Sequence, residues 1–210
     1  MIHDLLLRWV VTGLFALTAA ECGLAIVIKR QPWTSVVSHG LHFVMAVAMV
    51  VMAWPWNAPL PTTGPAVFFL LAAVLFVTMA VVAARTTARR LLFGYHGLMM
   101  LATAWMYAIM NPHLLPAGSG TQQRAQPDPS MPGMDMAGMS TPASSGPPVW
   151  FGTLNWLGTI AFAVAAAFWA YRYVIDRQHD TARSRSLGNL GQAMMAIGMT
   201  ILFLATRFAI

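Results

Sequence analysis

The sequence predicts an all-α, polytopic membrane protein with six transmembrane helices, and three observations carry that prediction. The chain of 210 residues is 58% apolar and only 9% charged, against roughly 25% charged in soluble domains. Six apolar runs reach the length of about 20 residues that a bilayer core demands. Basic residues cluster in alternate connections between those runs, as topology requires and as a nucleic-acid-binding face does not. The net charge of +6 is therefore a property of loops, and nucleic acid is excluded as a partner in favour of the lipid bilayer.

The six predicted spans are residues 5–28, 34–54, 66–84, 91–110, 150–171 and 187–208. Together they make a single integral membrane domain covering residues 1–210. The first run, Leu5–Ile28, is a retained span rather than a signal peptide. Asp4 spoils a basic n-region, no small-x-small cleavage site follows, and the run is longer than a signal-peptide core. Glu21 stands before Cys22, where a lipoprotein needs a small residue. With Cys22 the single cysteine, an internal disulfide is impossible.

Orientation follows from the connections. The first carries Lys29 and Arg30, the third Arg85, Arg89 and Arg90, and the fifth Arg172, Arg177, Arg183 and Arg185. The second, WPWNAPLPTTGP, has no charge, and the fourth has one Arg and two Asp. Odd connections are thus cytoplasmic, and both termini lie outside a plasma (inner) membrane. Each pair of spans becomes a helical hairpin, and internal repeats of this kind are a known way to build a membrane protein around a central site. Three hairpins predict a pseudo-threefold bundle with the even spans inside; the alternative is a sequential ring without a shared axis.

The even spans carry a repeated pattern. HGLHFVMAVAM from His39, HGLMMLATAWM from His96 and NLGQAMMAIGM from Asn189 align without a gap, each with Met at position eleven. Ten of the sixteen methionines fall in these three spans, and the odd spans hold only Met79. At 100° per residue, His39, His42, Met45, Met49 and Met52 share an arc of roughly 140° on the second span. His96, Met99, Met100, Met106 and Met110 share roughly 120° on the fourth. Thioethers and imidazoles are ligands for a soft ion such as Cu(I). Methionine is also a flexible packing residue, and Gly40, Gly97, Gly188 and Gly191 suit close helix approach. Both readings stand at this point.

Ionisable groups inside a membrane are costly and commonly functional. His39 and His42, at i and i+3, reach a common ion, and His96 is the repeat equivalent of His39. The third repeat has Asn189 and Gln192 instead, which excludes a symmetric three-histidine site. Glu21 is the one carboxylate well inside the spans, and Cys22, about 100° away on the helix, is not expected to share a site with it.

Residues 112–148 form an extracytoplasmic loop rich in Pro, Gly, Ser and Gln, with the composition of a disordered segment. Within it lies MPGMDMAGM, where Met131, Met134, Met136 and Met139 have no core to fill. These four, with His39, His42, Met45, Met49, His96, Met106 and Met199, form the candidate metal-ligand set. Met49, Met106 and Met199 make one thioether triad; a second lacks a partner at Ala102.

The six-span layout, the HGLH and HGLM span starts and the Met-rich loop resemble an uncharacterised actinobacterial family of integral-membrane proteins, a likeness that implies the fold and no activity. The Met-x-x-x-Met pairs and the external Met cluster are similar to those of the copper-uptake transporters, which implies shared ligand chemistry. The sequence holds no nucleophile–base pair, phosphate loop or nucleotide fingerprint, so no enzyme is expected. The leading expectation is a membrane copper(I)-binding protein for capture, transfer or homeostasis, passing metal to a copper chaperone or cuproenzyme. The alternatives are a b-type haem protein ligated by His39 or His42 with His96, and a metal-free accessory or assembly subunit of a membrane complex.

Overall fold

A computed structural model describes residues 4–28, 33–54, 61–111, 149–178 and 183–208. Among them the chain is all helix: α1 (Leu5–Ile28), α2 (Trp33–Ala53), α3 (Thr63–Thr78), α4 (Thr87–Met110), α5 (Val149–Gln178) and α6 (Arg183–Phe208). Six of six helices are long and apolar enough to cross a membrane. The chain is therefore a multi-pass membrane protein in its architecture. The loop with Met131, Met134, Met136 and Met139 lies outside the described residues.

Apolarity marked the span centres, while polar ends extend several helices past them. α4 begins at Thr87, four residues before the apolar run, because Thr86 sits in an extended conformation and its hydroxyl accepts from the Arg89 N–H at 3.4 Å. Such a side chain satisfies one of the orphan donors of a helix start. α3 ends in a π-helical turn, Met79–Ala83, in which the Ala84 N–H donates to the Met79 carbonyl at 3.1 Å. Arg90 Nε donates to the Ala84 carbonyl at 3.3 Å, so a basic side chain of the next helix closes that terminus.

The helices pack chiefly as three consecutive hairpins, α1 with α2, α3 with α4 and α5 with α6. The hairpins are not equivalently placed. α1 lies along α6, whereas α2 and α4 meet over a short stretch. Between the second and third hairpins runs an apolar groove of about 640 Å³, floored by small residues such as Ala102, Ala104, Gly158 and Ala161. The seams that do close are glycine-mediated. A Cβ at Gly198 would stand 2.7 Å from the Phe15 ring, and one at Gly158 2.7 Å from Phe203.

The even helices are the inner ones. Of the α6 span 56% is buried, against 17% of α5. Large apolar side chains such as Leu6, Leu71, Val82 and Val164 face outward, as lipid contact requires. Met45, Met49, Met99, Met100, Met195 and Met199 are all fully buried and share one core with Phe15, Phe69, Phe76 and Phe162. Bonds between helices fix the end remote from the basic connections. Trp54 Nε1 donates to Thr12 Oγ1 at 3.1 Å, Tyr107 Oη to the Ala48 carbonyl at 3.3 Å, and Asn111 Nδ2 to Thr63 Oγ1 at 2.8 Å.

Candidate functional site

At the opposite, basic end the bundle opens into a cavity of about 480 Å³. Every hairpin contributes to it. Its walls include Glu21 and Cys22 of α1, His39 and His42 of α2, His96 of α4, Trp169 of α5, and Gln192 and Met195 of α6. These positions lie late in α1 and early in α2, α4 and α6. A bundle that goes in and out in turn brings such positions to one level.

The histidines are held by the helix backbone. His42 Nδ1 lies 2.7 Å from the Ser38 carbonyl, and His39 Nδ1 lies 2.8 Å from the Ser35 carbonyl. A carbonyl only accepts, so each Nδ1 carries a hydrogen, and Nε2 is where the lone pair of the neutral form lies. A second partner that fixes the tautomer in this way is the usual support of a metal-binding imidazole.

His42 and His96 touch, with ring centroids 4.3 Å apart and planes at 72°. Phe76 of α3 stands edge-on to both, at 5.9 and 5.5 Å. The two imidazoles are 3% and 6% exposed, so they are removed from solvent. Yet His42 Nε2 and both nitrogens of His96 find no hydrogen-bond partner among the described residues. Buried polar atoms are paired in the great majority of cases. Three orphan nitrogens on two touching rings are therefore the chemical anomaly of this fold. Gln192 Oε1, from the third hairpin, is a further buried atom without a partner among the described residues.

Other expected ligands are distributed differently. His39 is half-buried on the cavity wall, and among the described residues no three His, Cys, Asp or Glu side chains converge on one ion position. His96 meets His42 and not its repeat equivalent His39 as the nearest ring partner, so the two helices are offset by about a turn relative to the sequence alignment. Asn189 also lines the cavity, and its Nδ2 donates to Asp176 Oδ2 of α5 at 2.7 Å. Met45, Met49 and Met199 lie in the packed core, and Met106 borders a small void of about 70 Å³ with Met52 and Met110. Cys22, expected to point away from Glu21, shares the cavity wall with it.

Met195 is the residue that pattern reading undervalued. It belongs to the third repeat's Met-x-x-x-Met pair, is 1% exposed, and is the methionine lining the histidine cavity. Its position one turn beyond Gln192 was the available signal. Glu21 also has a defined seat: a Cβ at Gly191 would overlap its carboxylate, so only glycine lets α1 place an acid there.

Comparison with known proteins identifies a family and no activity. The family model described as "Domain of unknown function (DUF5134)" matches residues 34–206. An uncharacterised protein of Mycobacterium bovis is 66% identical over 210 residues, covering all of both chains. Uncharacterised proteins of two Mycobacterium tuberculosis strains match at the same identity and coverage. No solved structure matches. The chain belongs to this DUF5134 family.

Proposed function

We propose that this member of the family is a membrane copper(I)-binding protein, with His42 and His96 as its nitrogen ligands and Met195 as its thioether. The single observation behind the reading is the touching imidazole pair with three buried, partnerless nitrogens. A soft monovalent ion explains why a fold would retain them. Imidazole and thioether both suit copper, and the bond of His42 to the Ser38 carbonyl leaves its Nε2 free to coordinate. Rings in contact leave no slot for a porphyrin plane between them, so the geometry favours a bare ion over haem.

In this reading the basic connections face the cytoplasm of a plasma membrane, and both termini face outward. Met131, Met134, Met136 and Met139 capture Cu(I) outside the membrane, and the histidine site receives it near the inner face for a chaperone or cuproenzyme. The buried methionines of α2, α4 and α6 line the interior between the two ends.

The test is metal analysis of detergent-purified protein after Cu(I) loading, for the wild type, H42A/H96A, and the variant with Met131, Met134, Met136 and Met139 replaced by Ser. Copper retained in the loop variant, and reduced in H42A/H96A to what the loop methionines hold, supports the reading. Equal copper in wild type and H42A/H96A overturns it.

A further inference from the structure

We infer that the apolar groove between α4 and α5 is a binding site for one hydrocarbon chain of a membrane phospholipid. The inference is independent of the metal reading, since groove and histidine cavity share no lining residue. The groove measures about 640 Å³, within the roughly 300–1,000 Å³ of pockets that hold small molecules. Trp105 is the one lining residue with a polar side-chain atom, and that indole N–H is already bonded to Asn155. An apolar recess of this kind stays dry and takes up an apolar guest. Left empty, its walls forfeit their dispersion contacts.

The shape of the groove selects the occupant. α4 and α5 are bridged at two levels and stand apart between them. Toward the basic end, the rings of Tyr95 and Trp169 lie 5.9 Å apart. Toward the remote end, Trp105 Nε1 donates to Asn155 Oδ1 at 3.4 Å, and the Trp105 ring lies 5.2 Å from Phe151. Along α4 the lining runs from Leu98 to Ala108, about 15 Å at 1.5 Å per residue and half of a hydrocarbon core about 30 Å thick. The groove therefore matches one leaflet, the one remote from the basic connections. A helix of a second copy would need a seam through the whole bilayer, whereas a flexible chain entering from the side fills a recess barred above and below. Trp105 and the exposed Trp150, with rings 5.8 Å apart, form an aromatic rim of the kind that sits at headgroup level. The phospholipid headgroup lies beside that rim, with one chain in the groove.

The experiment is native mass spectrometry of the full chain released from nanodiscs of palmitoyl-oleoyl phosphatidylcholine, for wild type, A161F and V164F. Ala161 lines the groove, so a phenyl ring there occupies it, while Val164 of the same helix is exposed outside the groove. Wild type and V164F are expected to emerge with one bound phospholipid per chain, and A161F without one. Wild type that emerges free of lipid overturns the inference, a result that needs no variant. Equal retention in all three proteins overturns it, and so does equal loss in both variants. Dimers that survive release and are broken in A161F assign the groove to a second copy and overturn it as well. Each of these outcomes leaves the copper reading intact.

Discussion

Replacing His96 by Leu should make the metal-free protein more stable while abolishing its stabilisation by copper. Both ring nitrogens of His96 are buried without a hydrogen-bond partner among the described residues, in a side chain 6% exposed. An unmade hydrogen bond at a buried polar group costs about 1–3 kcal/mol. Leucine has similar bulk, keeps contact with Phe76 and removes both nitrogens, so the gain is expected at about 1–3 kcal/mol. For a chain of this size each kcal/mol moves Tm by about 2–4 °C. Thermal unfolding in detergent, followed by the fluorescence of the eight tryptophans, reads this directly. Cu(I) at about 100 times its Kd adds about 2.7 kcal/mol to any state that binds it, so wild type gains several degrees with copper and H96L gains none. An apo H96L that unfolds below wild type, or one that copper still stabilises fully, would refute the reasoning.

Three further outcomes follow from the packing. G191A and G198A should each destabilise by about 1–3 kcal/mol, since their Cβ atoms meet Glu21 and Phe15; G40A and G188A, with open space around the Cβ, should be neutral or stabilising by about 0.5–1 kcal/mol. Tm values of the four variants check this. M45L/M49L should cost less than about 1.5 kcal/mol per site as a volume-conserving change and leave His42-dependent metal binding unchanged, whereas M195L should weaken it at similar stability. D176A should lose about 1–3 kcal/mol by removing the charged acceptor of Asn189 Nδ2, with metal stoichiometry unaltered.

The six spans were legible because burial in lipid is written in composition. Runs such as Leu5–Ile28 have no other explanation, and α1 occupies that range. Helix ends were less legible, since they depend on local bonds such as Thr86 to Arg89 and on polar turns beyond the hydrocarbon core. The hairpins followed from loop charge, but their unequal spacing did not. It depends on where Gly191 and Gly198 receive a side chain of α1, which periodicity on one helix does not encode. In the site, the burial of His42 and His96 was readable from their depth. Their mutual contact was not, because alignment of the repeats sets His96 beside His39, and an offset between α2 and α4 is a tertiary property. Asn189 illustrates the same limit: its repeat position matched a histidine, while its side chain is claimed by Asp176 across the fifth connection.

The most direct test is X-ray absorption spectroscopy of Cu(I)-loaded protein in which Met131, Met134, Met136 and Met139 are replaced by Ser, so that only the intramembrane site contributes. The expected coordination is two imidazole nitrogens and one thioether sulfur, and the same protein carrying H96L is expected to retain no copper. A shell of sulfur alone, or a protein that retains no copper once the loop methionines are gone, would contradict the assignment of His42, His96 and Met195 as the metal site.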